Sequence, residues 1–361
     1  MIERTSVLKR ILMAAIFLSV IILSLAIIGE VFCRLVMPLN KNRDRYVAVR
    51  NIFQFDERNV LFDEELGYSI KPNLKVPFNN EEFRTVVTTN SMGFRDNEDS
   101  LRNPSIFILG DSLGFGWGVN WPASCDKALE DLCGTRVLNM SVPGYGPLQE
   151  LLALKRFGEK YDIKGKTVIF LLCFNDVADT MGFGSGSIKI ENNSLNYSVF
   201  SKDAFNELME LYRTRSYRGI YRTSYMMYIL KNAQKQLKNK LRNKKKTETT
   251  KANTVDPHLK YEIFGLVLDK IKDFCSENKI KAIFLWIPSI NSFEDNAAKF
   301  GDDYEDTVLS EVTRIFDRSG LQLISLKGDL AHDDYYRVDG HLKPGGQYKI
   351  AAEINKLLTK Q

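Results

Sequence analysis

The sequence predicts an α/β protein: a three-layer α/β/α sandwich built on a five-stranded parallel sheet and preceded by one N-terminal transmembrane helix. Three observations predict it. A charge-free apolar run covers Ile11–Gly29, five short apolar runs recur downstream, and a segment of helical period separates each of these from the next.

The first run, ILMAAIFLSVIILSLAIIG, is 19 residues long, and a rise of about 1.5 Å per residue brings it close to the thickness of a bilayer's hydrocarbon core. Arg4, Lys9 and Arg10 precede it. The positive-inside rule therefore leaves residues 1–10 in the cytoplasm and sends everything after Gly29 across the membrane. A cleaved signal peptide is the competing reading. Against it stand the length of the run and the following Glu30-Val31-Phe32-Cys33-Arg34, which offers no small-x-small cleavage site. Phe32 also disfavours lipid modification of Cys33, which reads as a membrane-edge cysteine. The expected location is the cell inner membrane, single-pass, with the main domain periplasmic or extracellular.

Composition narrows the classes. Of 361 residues, 44% are hydrophobic and 26% charged, with 23 Gly and 10 Pro, which excludes disorder throughout, a collagen-like repeat and a polytopic membrane protein. The formal charge of +5 is too small, and too concentrated in one segment, to point to nucleic acid. Five cysteines give no readable disulfide framework, because Cys125 and Cys133 in one helix would lie about 12 Å apart.

Residues 30–103 are polar and read as a stalk and entry segment, with Phe83–Thr89 alternating like a strand. The domain is expected over 104–361. Its strands are Ser105–Leu109, Arg136–Met140, Thr167–Cys173, Lys281–Ile287 and Leu321–Leu326; its helices lie at Cys125–Leu132, Gln149–Lys160, Lys260–Glu277, Tyr304–Arg318 and Gly346–Leu358. An insertion, 182–257, interrupts this succession. It carries an amphipathic aromatic stretch, Tyr217–Leu230, and then Lys231–Lys251, with nine basic residues and one acid. That run reads as a solvated loop or helix end, or alternatively as a contact with anionic lipid headgroups.

The chemistry begins directly after the first strand, at Gly110-Asp111-Ser112-Leu113-Gly114. No Lys follows to make a phosphate-binding loop, and Val119 stands where a dinucleotide fingerprint needs its third glycine. A nucleophile turn remains, with Ser112 at the mouth of a following helix whose N–H groups stabilise an oxyanion. The same residues satisfy the G-x-S-x-G pattern of α/β-hydrolases, but here the serine follows the first strand of the domain and the acid and histidine are neighbours.

A serine nucleophile needs a base, and only His258, His332 and His341 are available. His341 lies in Val338-Asp339-Gly340-His341 before the last helix, where Asp339 would hold Nδ1–H and free Nε2 to take the Ser112 proton. A surface His beside an Asp and a metal set of His332, Asp333, Asp334, Asp339 and His341 are the alternatives. Gly144, in the turn Asn139–Gly146, and Asn175, in Phe174-Asn175-Asp176, leave neighbouring strands and converge on the same crevice.

Gly-Asp-Ser112, Gly144, Asn175-Asp176 and Asp339-x-His341, in this order from about Pro104 to Leu358, resemble the SGNH (GDSL) hydrolase family. The resemblance implies a flavodoxin-like sheet, Ser112 as nucleophile, and an oxyanion hole formed by the N–H groups of Ser112 and Gly144 and the side chain of Asn175. It also implies His341 as base, oriented by Asp339. Asn90–Arg95 and Leu66-Gly67-Tyr68 resemble the lead-in segments of bacterial membrane-anchored members. Two positions depart from the family pattern. Cys173 replaces the glycine of the usual Gly-x-Asn-Asp and would narrow the approach to Asn175. Asp-x-His replaces Asp-x-x-His, is similar to periplasmic polysaccharide O-acetyltransferase relatives, and leaves open whether Asp339 or Asp334 orients the base.

The expected function is a membrane-anchored serine ester hydrolase acting on O-acyl esters of envelope carbohydrate, acetyl above all, or on lipid esters. An O-acyltransferase using the same residues and a non-catalytic anchored binding or assembly protein are the alternatives. No cofactor or metal is called for. Activity is expected to need neutral imidazole and to decline below about pH 6.5.

Overall fold

The computed structural model describes residues 2–36, 52–181, 187–191, 194–198, 201–216, 224–227, 229–230, 233–234, 258–293 and 302–360. They fall into two compact units, residues 1–50 with 214–253, and residues 51–213 with 254–361.

The first unit is built on helix α1 (Ile2–Val36). Its stretch Lys9–Val36, whose most apolar 18 residues have a mean hydropathy of 3.0, is, among the described residues, the one helix long and apolar enough to cross a membrane. Ile11, Leu12, Phe17 and Leu23 along it are exposed. Near its end, Glu30 accepts hydrogen bonds from Ser224 Oγ at 2.8 Å and from the N–H groups of Tyr225 and Met226 at 2.9 and 3.1 Å. Glu30 thus caps the helical residues 225–227, part of the expected aromatic stretch. Apart from 233–234, the basic run 231–251 lies outside the described residues.

The second unit carries five parallel strands: β5 (Ile106–Gly110), β6 (Val137–Asn139), β7 (Thr167–Leu172), β10 (Lys281–Trp286) and β11 (Leu323–Ser325). Their order across the sheet is β6-β5-β7-β10-β11, the flavodoxin-like 2-1-3-4-5 arrangement. Alternation along the strands sorts side chains to two faces. Ile106, Ile108, Ile169, Leu171, Ile283 and Leu285 pack with Leu129 of α2 (Cys125–Cys133) and with Ile350, Ala351 and Ile354 of α8 (Pro344–Thr359). Phe107, Leu109, Val168, Phe170, Phe284 and Trp286 face α3 (Pro147–Gly158), α6 (Leu259–Glu277) and α7 (Asp302–Ser319). A sheet buried on both faces reads as continuous apolar runs, which is why all five strands are legible in the sequence.

The compact unit begins at Asn51, so the expected boundary at 104 moves upstream. The 3₁₀ turn Phe53–Phe55 and the hairpins β1 (Val60–Asp63)–β2 (Gly67–Ile70) and β3 (Lys75–Asn79)–β4 (Arg84–Thr88) bury Phe53, Val60, Tyr68, Ile70, Phe78 and Val87 in the main core. Residues 52–103 are therefore part of the domain. Strand alternation placed one apolar residue in two toward the core, and the polar half gave the segment its stalk-like composition. The start of the expected insertion also belongs here. Helix α4 (Asp176–Met181) precedes it, and within it hairpin β8 (Ser187–Glu191)–β9 (Ser194–Ser198) and α5 (Lys202–Ser216) contribute Ile188, Leu195, Phe205 and Met209 to the same core.

Candidate active site

Strand β5 ends at Gly110, beside the point where the strand order reverses and an open parallel sheet forms its crevice. Asp111 is 2% exposed. Its Oδ1 accepts the Leu113 N–H at 2.8 Å, and its Oδ2 accepts Asn175 Nδ2 at 3.0 Å from the loop after β7. The helix expected to open at Ser112 does not form. Phe115 N–H reaches Asp111 O and Trp117 N–H reaches Ser112 O, but Gly116 and Gly118 take φ of 74° and 78°, so turns continue until the 3₁₀ helix Trp121–Ala123 that precedes α2. Individual N–H groups, and not a helix terminus, are therefore what the backbone presents there.

The expected catalytic residues meet. Ser112 Oγ lies 2.8 Å from His341 Nε2, and His341 Nδ1 is hydrogen-bonded to Asp339 Oδ1. The Asp339 side chain is fully buried and that of His341 is 14% exposed. The loop holding them is closed by Tyr336 N–H on His341 O and Gly340 N–H on Tyr336 O, both at 2.8 Å. Asp334 lies elsewhere in the network: its Oδ2 accepts the Ala331 N–H at 2.8 Å and pairs with Lys349 Nζ at 2.7 Å. It is Asp339, and not Asp334, that reaches the imidazole. Asp333 is exposed and His332 half-buried, and His258 stands at the start of α6; the expected alternative metal set is not gathered.

Gly144 takes φ of 80°, and a Cβ there would sit 2.9 Å from Tyr68 Oη, which itself donates to Pro143 O at 2.6 Å. The position requires glycine for both reasons. Among the described residues, the N–H groups of Ser112 and Gly144 have no hydrogen-bond partner. Asn175 is differently placed: Nδ2 donates to Asp179 Oδ2 at 2.6 Å as well as to Asp111, so both of its N–H bonds are engaged. The thiol of Cys173 is 2.9 Å from Asn175 Oδ1 and fixes the other end of the amide.

Burial governs the electrostatics. It pushes Asp179 up to about 6, against the lowering effect of Asn175. It raises Asp176 and Glu150 well above the carboxylate range, with the charge of Asp111 adding to both, and it raises the Cys173 thiol. Asp111, Cys173 and Asp176 place possible ligand atoms within 4.8 Å of one another. They do not make a good cation site. Asp111 Oδ2 already accepts from Asn175, and a thiol raised by burial is a neutral donor rather than a thiolate ligand.

Several supports were not legible in the sequence as parts of the site. Arg95, 1% exposed, sends its guanidinium to the carbonyls of Phe115, Gly116 and Val119 and so braces the loop after Ser112. Burial lowers Arg95 to about 10. Trp117 stacks on His341, and Asn80 and Glu82 contact the Asp339 loop. The resemblance of the Arg95 and Tyr68 segments to known lead-ins was the available signal; Asn80 and Glu82 had none.

No family model and no curated protein matches the sequence. Among solved structures, a member of the lipolytic protein G-D-S-L family from Veillonella parvula DSM 2008 is similar, with a TM-score of 0.38, 9% identity and coverage of 71% of this chain and 98% of that one. The psychrotrophic esterase EstA from Pseudoalteromonas sp. gives 0.37, 12%, 72% and 98%. The acetyl xylan esterase AlAXEase gives 0.36, 11%, 69% and 97%. The chain has a five-stranded parallel α/β sheet of flavodoxin-like order, and Ser112, Gly144, Asn175 and His341 follow one another along its C-terminal edge.

Proposed function

We propose that the protein is a membrane-anchored, extracytoplasmic serine ester hydrolase working through an acyl-enzyme. The observation that carries this reading is the line Ser112 Oγ, His341, Asp339, with 2.8 Å between the hydroxyl and Nε2 and the acid buried behind Nδ1. Ser112 attacks the ester carbonyl as Nε2 takes its proton. The oxyanion accepts the N–H groups of Ser112 and Gly144, and Asn175 exchanges its Asp179 contact for it. Collapse expels the alcohol, protonated by Nε2; water then repeats the sequence on the acyl-enzyme and releases the acid. Helix α1 serves as the anchor, with Arg4, Lys9 and Arg10 on the cytoplasmic side. Esters close to a membrane surface, acetylated envelope carbohydrate or lipid, are then the substrates within reach.

The test is hydrolysis of p-nitrophenyl esters of increasing chain length by the detergent-solubilised full chain, beside Ser112→Ala. Turnover confined to the wild type supports the reading, and chain-length preference separates small-acyl from lipid substrates. With a radiolabelled acetyl donor, label in free acetate supports hydrolysis; label in polymer would replace it by acyl transfer.

A further inference from the structure

The turn between β3 and β4 ends on the acid of the triad. Asp339 uses Oδ1 for His341, and its other oxygen, Oδ2, accepts Asn80 Nδ2 at 3.0 Å, with Trp117 Nε1 at 3.4 Å. Glu82 holds the backbone that carries the acid: its carboxylate accepts the N–H of Asp339 at 2.6 Å and that of Val338 at 3.0 Å. These partners come from a segment more than 250 residues away in sequence.

The turn is itself fixed. Asn80 Oδ1 accepts the N–H groups of Glu82 and Phe83 at 2.7 and 2.9 Å, and Asn80 N–H donates to Phe83 O at 3.0 Å. With Oδ1 committed to two donors, the amide has one orientation, and Nδ2 faces Asp339. Phe83 packs on Phe78 and on Tyr336, ring centroids 5.4 and 5.3 Å apart, and so ties the turn to the loop that bears Asp339 and His341.

A fully buried carboxylate is tolerated only when both oxygens are satisfied. The imidazole satisfies one. Asn80 and Trp117 satisfy the other, which also stops the carboxylate rotating and turning the imidazole away from Ser112. We propose that the Asn80–Glu82 turn is the positioning element of the catalytic acid, Asn80 fixing the side chain of Asp339 and Glu82 its backbone, so that His341 is aimed at Ser112. This rests on the triad read above, and it makes residues 52–103 part of the catalytic apparatus of the domain.

The experiment uses the detergent-solubilised full chain and follows the rate at which a fluorophosphonate labels Ser112, a measure of nucleophile activation that is independent of the natural substrate. Asn80→Ala and Glu82→Ala should each slow labelling, by up to about 10²-fold for a misaimed base. Asn80→Ala added to Asp339→Asn should slow it no further, because the group it positions is already lost. A substitution that merely loosens the fold would multiply with Asp339→Asn, and its melting temperature would fall in step. Asn80→Ala labelled at the wild-type rate, or an effect that multiplies in full, overturns the proposal while leaving the triad intact. Wild type labelled no faster than Ser112→Ala overturns both.

Discussion

Trp117 lies flat against His341, ring centroids 5.0 Å apart and planes inclined by 19°. The negative face of an indole favours a cation above it, and in the proposed mechanism the imidazole becomes one when Ser112 gives up its proton. Trp117 is held in turn by Phe78, whose ring meets it edge-on at 4.6 Å. The stack thus continues from the core of the lead-in hairpins to the base.

Replacing Trp117 by Leu keeps apolar bulk and removes both the π face and the Nε1–H directed at Asp339. A cation over an aromatic face is worth about 0.5–2 kcal/mol, so kcat is expected to fall about 2- to 30-fold with KM little changed. Trp117→Phe retains a ring and should recover part of the loss. Steady-state kinetics of the two variants side by side check this.

Ser112→Ala and His341→Ala each remove a member of one functional unit, so each should lower kcat by at least about 10³-fold, and the double variant should be little worse than either single one. Asp339→Asn leaves the shape of the buried site and removes the charge that selects the Nδ1–H tautomer, with an expected loss of about 10⁴-fold. A double variant that multiplies the single losses would show that Ser112 and His341 do not act together.

Gly144→Ala tests the turn after β6. With φ at 80° and a Cβ 2.9 Å from Tyr68 Oη and 3.1 Å from Gln54 Nε2, the substitution must twist the turn or displace both side chains. The N–H that the proposed mechanism gives to the oxyanion moves with it, and loss of one such donor costs about 10²–10³ in kcat. Tyr68→Phe combined with Gly144→Ala removes the nearest obstacle. If crowding by Tyr68 is the cause, the double variant is faster than Gly144→Ala alone; equal rates assign the loss to the left-handed backbone.

Why some of this was legible and some not follows from range. Gly110-Asp111-Ser112 and Asp339-Gly340-His341 are short, and each adjoins a regular element whose apolar pattern is unmistakable. Once the strand order is known, their meeting follows from the crevice of a parallel sheet. Asn80 and Glu82 carry no such signal, since polar residues in a hairpin turn are ordinary and their partners lie at the other end of the domain. The helix expected after Ser112 was lost to Gly116 and Gly118, whose positive φ ends it before it starts. Cys173, expected to narrow the approach to Asn175, has a buried thiol that contacts Asn175 Oδ1.

The buried polar cluster beneath the lead-in gives a prediction for stability. Asp96 is 4% exposed; its Oδ1 accepts Ser100 Oγ at 2.7 Å and its Oδ2 the Asn139 N–H at 3.0 Å. Burial, with the nearby charge of Asp126 adding, raises it to about 7. In the unfolded chain an aspartate titrates near 4. Between those two values the folded state binds the extra proton, so this residue's contribution to stability is complete below about pH 4 and is lost as pH rises through about 7. Asp96→Asn cannot titrate. It leaves the Asn139 N–H facing an amide in place of an oxygen, at a cost of about 1–3 kcal/mol. The variant should therefore be less stable than wild type at pH 5, and the gap should narrow or reverse by pH 8. Urea unfolding at the two pH values reads this directly: a gap of equal size at both would mean that Asp96 is ionised in the folded protein throughout.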